Sequence, residues 1–196
     1  MVILVKHFLL VVITVLISAC ASTTNITIDK GKTPETSNSN DNTVSVNELI
    51  QLNKESRICI FVPKDGMDTE LTGQIIAGSG TQTANIVTDI LSRYFQNVDL
   101  ENNTDDLNSA IKTTRKNGYD YIIYPKILTW TNYATFWSGV PNKLSVNLRV
   151  YDVKNKKLVN SIIIENESSE LVRPGFQTSD LLQKPLNDVA NQLIYS

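Results

Sequence analysis

The chain has 196 residues, with 18 Lys and Arg against 20 Asp and Glu, for a net charge of −2. That balance supplies neither a basic footprint for nucleic acid nor a polybasic tract for anionic lipid. One histidine, His7, and two cysteines, Cys20 and Cys59, narrow the available chemistry further.

Residues 1–19 read as a secretory signal: Lys6 and His7 as a short basic region, Phe8 to Ile17 as an apolar core, and Ser18-Ala19 as the small residues before a cut. The core is too short for a bilayer span, which needs roughly 20 apolar residues. Leu16-Ile17-Ser18-Ala19-Cys20 has the pattern of a bacterial lipobox. The chemistry needs a thiol there, because diacylglycerol joins the sulfur, the peptidase cuts before the cysteine and the freed amine is acylated. Each buried methylene contributes about 0.8 kcal/mol, so two or three acyl chains hold a protein stably where one does not. Ala21, where an aspartate favours the inner membrane, points to the outer membrane. The expectation is a lipoprotein lipidated at Cys20, anchored in the outer membrane and facing the periplasm.

His7 leaves with the signal, so residues 20–196 contain no histidine. That removes Ser-His-Asp and Cys-His catalysis and His-ligated metal sites. With Cys20 acylated, Cys59 is the only thiol left and no internal disulfide can form. Cys59 lies in Ile58-Cys59-Ile60-Phe61-Val62, which reads as a buried strand, so it is expected to be a core residue. Asp65, Asp68, Glu70, Asp105, Asp106 and Asp152 form no catalytic spacing and read as loop, cap and turn residues. No enzymatic activity, metal or cofactor is expected.

Residues 20–45 are rich in Ser, Thr, Asn and Asp and hold no aromatic residue, the composition of a lipidated, flexible tether. Such a tether would let the domain stand off the membrane. The domain is expected over residues 46–196. Ser45-Val46-Asn47-Glu48 has capping-box spacing for a short helix to about Asn53. Arg57 to Pro63 is a strand. Gly78-Ser79-Gly80-Thr81 opens a helix to Phe95, with Ala84, Val87, Ile90, Leu91 and Tyr94 on one face. Free amides at a helix start attract anions, but no lysine completes a phosphate loop, so the glycines read as a cap. Val98 to Glu101 is a short strand. Asp105 to Lys116 is a helix with Leu107, Ala110, Ile111 and Thr114 inward, stopped by Asn117-Gly118.

Tyr119 to Trp130 is a long apolar strand, in which Pro125 marks a bulge or an edge position. Leu144 to Val153 alternates apolar and polar residues. After the Lys154-Asn155-Lys156 turn it pairs with Leu158 to Glu165 as an antiparallel hairpin. A last helix is expected to begin near Pro185 and to bury Leu186, Val189, Ala190 and Leu193. The order β-α-β-α-β, then hairpin, then helix gives a single α/β domain. Its mixed sheet has about five strands covered by helices, and the short crossovers pair the first strands in parallel.

Half of the chain's aromatic residues crowd into one stretch: Tyr119, Tyr121, Tyr124, Trp130, Tyr133, Phe136 and Trp137. The first three fit a buried strand. From Trp130 to Trp137 polar Thr129, Thr131, Asn132 and Thr135 interleave, and a Ser138-Gly139-Val140-Pro141 turn follows. Trp and Tyr dominate interface hot spots, so Trp130, Tyr133, Phe136 and Trp137 are the candidate partner contacts, with Trp130 the one best placed for the core.

The same residues carry a family resemblance. Trp130-x-x-x-Ala134-Thr135-x-Trp137-Ser138-Gly139-x-Pro141-Asn142-Lys143, followed by Tyr151-Asp152, resembles a family of proteobacterial lipoproteins classed as a domain of unknown function. Val62-Pro63-x-Asp65-Gly66 and Gly78-x-Gly80 fit it too. The element order is also similar to the amino-terminal domain of TolB and to related periplasmic lipoproteins. Those include activators of penicillin-binding proteins and the curli-secretion lipoprotein, which act through protein contacts. The resemblance implies a non-enzymatic lipoprotein binding an envelope protein partner. The alternative is a binder of small ligands or glycans, or an envelope enzyme using carboxylates.

Overall fold

A computed structural model describes residues 24–29, 49–70, 72–102, 106–133, 140–168 and 175–195. Cys20, Phe136 and Trp137 lie outside these residues. The strands are β1 (Thr24–Asp29), β2 (Leu52–Asn53), β3 (Arg57–Phe61), β4 (Asn97–Glu101), β5 (Tyr121–Trp130), β6 (Lys143–Asp152), β7 (Lys157–Glu167) and β8 (Ile194–Tyr195). The helices are α1 (Ser79–Leu91), α2 (Leu107–Lys116) and α3 (Asp180–Leu193).

Six strands form one mixed sheet in the order β1-β7-β6-β5-β3-β4. The α1 and α2 crossovers make β3 parallel to both β4 and β5. From β5 through β6 and β7 to β1 every pairing is antiparallel. The α/β reading with a mixed sheet therefore holds, and the sheet gains one strand over the expected five.

Alternation divides the sheet into two faces. On one face Ile58, Ile60, Ile123, Val146, Leu148, Val150, Ile162 and Ile164 pack with α1 and α3 into the main core. Val87, Ile90 and Leu91 come from α1, and Leu186, Val189, Ala190 and Leu193 from α3. On the other face Cys59, Phe61, Ile122 and Val153 meet Ala110 and Ile111 of α2 in a smaller core. Asp106 caps α2 by accepting hydrogen bonds from the Asn108 and Ser109 amides, both at 3.0 Å. These bonds, led by the one from the Ser109 hydroxyl, hold its carboxyl below the usual range.

Three expectations change. First, part of the expected tether is a strand: Thr24 to Asp29 pairs antiparallel with β7, from Thr24 opposite Asn166 to Asp29 opposite Ser161. The polar composition hides an alternation at Ile26 and Ile28, and Ile26 packs against the main core. Second, residues 49–53 are not helical. Asn160 accepts a hydrogen bond from the Ile50 amide at 3.0 Å and donates one to the Ile50 carbonyl at 2.9 Å. That clamp holds the segment extended, and Leu52-Asn53 pairs in parallel with β8. Third, α3 begins at Asp180, and Pro185 lies inside it rather than at its start.

Pro125 sits in β5 just beyond the last residue paired with β3, Ile123, so the β3-side edge of β5 opens there. The bulge itself falls between Ile127 and Thr129. It inserts Leu128 and shifts the side-chain phase, so that Trp130 pairs with Leu144 and enters the main core.

Candidate functional site

The two short motifs around Asp65 and Gly78 meet at one end of the sheet, where β3 and β5 finish. The Asp65 carboxylate accepts from the Gly78 amide at 3.1 Å and the Gly80 amide at 2.8 Å. It thus occupies the start of α1, and the anion that free amides there attract is the protein's own side chain. In return the Gly66 amide donates to Ser79 Oγ at 2.8 Å, and Ser79 Oγ donates to the Ile76 carbonyl at 2.7 Å. Both glycines are set by close approach. A Cβ on Gly80 would lie 2.3 Å from the Pro63 carbonyl oxygen, and one on Gly66 would lie 2.6 Å from Ile127 Cγ2 and 3.1 Å from Trp130 Cβ.

Residues 66–70 and 72–76 form the two sides of a small hairpin held by Asp68. Its buried carboxylate accepts from the Glu70 amide at 3.1 Å, the Thr72 amide at 3.0 Å and the Thr72 hydroxyl at 2.6 Å. The Tyr133 hydroxyl donates to the same carboxylate. Backbone bonds run from the Asp68 amide to the Gln74 carbonyl and from the Ile76 amide to the Gly66 carbonyl. The hairpin sets Met67 beside Ile75, and both side chains are exposed.

Two hollows flank this cluster. One of about 300 Å³ is lined by Trp130, Phe176, Gln82, Asn132, Asn142 and Gln177, all uncharged. The Trp130 indole Nε1–H is buried and has no acceptor among the described residues. The other, of about 350 Å³, opens where β5 has lost β3 as a neighbour. It is largely apolar, lined by Pro63, Met67, Tyr124, Pro125, Ile127 and Leu128 together with the charged Lys64, Asp65, Lys126 and Arg149. The Arg149 guanidinium lies 5.3 Å from the Tyr124 ring centre, a cation–π contact. The buried Arg149 Nε has no acceptor among the described residues.

This second hollow continues onto a stretch of sheet that α2 leaves open. The buried residues of α2 pack on Cys59, Phe61, Ile122 and Val153, at the β3–β5 side of the sheet. On the same face β6 and β7 carry Ser145 opposite Glu165, Asn147 opposite Ile163 and Arg149 opposite Ser161. Ser145 Oγ donates to Glu165 Oε1 at 3.4 Å, and Ser161 Oγ donates to Asn147 Oδ1 at 3.2 Å.

The candidate aromatic contacts separate in the structure. Trp130 is 2% exposed and belongs to the main core, meeting the outside only where it lines the uncharged hollow. Tyr133 is half-buried, with its hydroxyl committed to Asp68. Cys59 is fully buried, and burial, followed by the nearby Glu101 and Asp99 carboxylates, pushes its thiol up to about 12. The hollow at Tyr124 and Arg149 was not legible in sequence. Its only trace is Pro125, whose missing amide marks the strand edge where β3 ends. Among the described residues no group of three or more His, Cys, Asp or Glu side chains is placed to hold a metal. Among those residues, too, no helix is long and apolar enough to cross a membrane.

A family described as a domain of unknown function, DUF4823, matches residues 50–193. The chain belongs to this family. The matched span runs from Ile50, clamped by Asn160, to the end of α3, so it takes in both motifs, the hairpin and both hollows. No curated protein sequence matches the chain. Among solved structures the PelC dodecamer from Paraburkholderia phytofirmans is similar, with a TM-score of 0.60 and 12% identity, covering 89% of this chain and 99% of that one. A point variant of the same PelC dodecamer gives a TM-score of 0.57 and 13% identity, over 86% of this chain and 99% of that one. Lipoprotein GNA1162 from Neisseria meningitidis overlaps with a TM-score of 0.40 and 15% identity, over 69% of this chain and 99% of that one. At such identities the PelC likeness establishes the fold alone.

Proposed function

We propose that this DUF4823 protein is a non-enzymatic lipoprotein, lipidated at Cys20 and held at the outer membrane, that binds an envelope protein through the open half of its sheet. The lipobox ending at Cys20 supports the anchoring. The observation that carries the binding is the apolar hollow beside Tyr124, Leu128 and Arg149, continuous with a sheet face that α2 does not cover. Tyr and Arg flanking an apolar recess are the residue types that dominate binding energy at protein interfaces. Because the PelC structures are dodecamers, a second copy of this chain is one form the partner can take.

A photocrosslinking residue at Leu128, introduced in cells, tests this reading. The expected result is a discrete adduct that Arg149→Glu abolishes while the melting temperature holds. A crosslinker at Lys154, in the distant β6–β7 turn, should give none. Adducts that ignore Arg149→Glu, or none from Leu128, would reject this surface. Mass spectrometry of the adduct separates a second copy from a different protein.

A second reading follows from the uncharged hollow at Trp130. Amide side chains beside Trp and Phe suit a neutral, hydroxyl-rich small molecule such as a glycan fragment. Tryptophan fluorescence titrated with neutral oligosaccharides should change in the wild type and not in Gln82→Ala if this reading is right.

A further inference from the structure

Resting on lipidation at Cys20, we propose that the paired Met67 and Ile75 of the hairpin stem, together with Val140, dock on the lipid interface of the leaflet that holds the acyl chains. Only Ala21, Ser22 and Thr23 separate Cys20 from Thr24, where β1 begins. A fully extended chain spans at most about 3.3–3.6 Å per residue, so Thr24 lies within about 14 Å of the anchored cysteine. The domain therefore cannot stand off on a long tether, because the sheet itself starts at the membrane.

Register then says which end of the sheet is held there. Thr24 pairs with Asn166, Asn166 with Leu144 and Leu144 with Trp130. These four residues form one row across β1, β7, β6 and β5. At about 4.8 Å per strand the row is roughly 14 Å wide. Beyond it, at the same end, lie Tyr133, Val140 and the hairpin sides 66–70 and 72–76, which Tyr133 ties to β5 through Asp68. The lipid anchor and these loops thus share one end of the domain.

That end is also where apolar surface is shown. Five large hydrophobic side chains are exposed among the described residues: Ile50, Met67, Ile75, Leu100 and Val140. Three of them, Met67 at 46%, Ile75 at 66% and Val140 at 41%, sit in the loops past the Thr24 row. The opposite end carries the exposed Lys154, Asn155, Lys156 and Lys157 turn. Exposed apolar side chains in a hairpin fixed by a buried carboxylate are poor in water and favourable at a bilayer surface. The chain has no basic excess, so the contact is apolar rather than electrostatic.

The test uses the full lipidated protein in vesicles of phosphatidylethanolamine and phosphatidylglycerol, with intact mass first establishing the acyl chains on Cys20. Ile75→Cys, Val140→Cys and Asn155→Cys each carry a polarity-sensitive fluorophore, while buried Cys59 stays unlabelled. All three substitutions are at exposed positions, and melting curves check the fold. The expected result is a blue shift and strong quenching by brominated lipid at residues 75 and 140, with neither at 155. Lipidated protein whose labels at 75 and 140 are as wet as that at 155 would overturn the inference and leave the lipoprotein reading standing. A chain without lipid would overturn both. Labels at 75 and 140 that are shielded equally without vesicles would show that protein, not lipid, covers the patch, and that also overturns it.

Discussion

The Asn166 side-chain amide donates a hydrogen bond to the Leu181 carbonyl, 2.7 Å away, in the first turn of α3. In an α-helix that carbonyl would accept from the amide four residues on, and here that residue is Pro185, which has no N–H. A side chain from β7 therefore supplies the donor that the helix lacks. This exchange lets α3 begin at Asp180 with a proline inside it. It also ties the helix to the sheet at the row that starts with Thr24.

Asn166→Ala should destabilise the domain by about 1–3 kcal/mol, the range for leaving a buried polar group unpaired. Pro185→Ala restores a backbone donor for Leu181. In that background Asn166→Ala should cost distinctly less, with a coupling of roughly 0.5–2 kcal/mol. Denaturant unfolding of the four proteins measures it. Additive effects would contradict the account.

The contact between the two glycine motifs predicts a steep steric response. Gly80→Ala pushes a methyl into the Pro63 carbonyl and should cost more than about 2 kcal/mol. Asp65→Ala removes both amide partners at the start of α1 and should cost about 1–2 kcal/mol. Combining the two should fall short of the sum, since both disturb the same junction. Thermal or denaturant melting reads all three.

Much of this fold is legible in sequence because local pattern and final burial agree. Leu144, Val146, Leu148 and Val150 alternate and all face the main core. Ala84, Val87, Ile90 and Leu91 recur at helical spacing and are all buried. What escaped depends on contacts distant in sequence. β1 is held by pairing with β7 across more than a hundred residues, so its polar composition reads as tether. The Ile50 clamp needs Asn160, and the early start of α3 needs Asn166. At the site, Asp65-Gly66 and Gly78-x-Gly80 are visible as motifs, yet nothing local says that one caps the other. Trp130 entered the core through a bulge at Leu128, two residues earlier, which periodicity alone does not reveal.

Cys59 should be inert in the folded protein. A thiol reagent at pH 8 should label it only after denaturant is added. Its raised value also fixes the sign of a pH effect. The neutral thiol is favoured in the folded state, so that stability is complete below the ordinary value of 9.0 and is lost as pH rises towards about 12. Tyr119, raised to about 12 chiefly by burial and by its bond to Asp99, acts in the same direction above its ordinary value of 10.0. Cys59→Ala should therefore flatten part of the alkaline fall in melting temperature. An unchanged alkaline profile would count against the burial argument.

Trp130 and Tyr133 should respond differently. Trp130→Ala removes a core side chain next to Gly66 and should cost about 3–5 kcal/mol. Tyr133→Phe keeps the ring and loses only the hydroxyl to Asp68, which retains other donors, and should cost about 1–2 kcal/mol. Hydrogen exchange should then rise in residues 66–76 and stay constant in β6 and β7. Equal destabilisation by both variants would contradict the separation of core from hairpin support.

Where the mature chain begins and what it carries decide both the anchoring and the membrane contact. Intact and peptide mass spectrometry of protein extracted from outer-membrane fractions measures this directly. The prediction is an N-terminus at Cys20 with diacylglycerol on sulfur and an acyl group on the amine, and full loss of that species in Cys20→Ser. An unmodified chain in the soluble periplasm, or a mature terminus at any other residue, would contradict it.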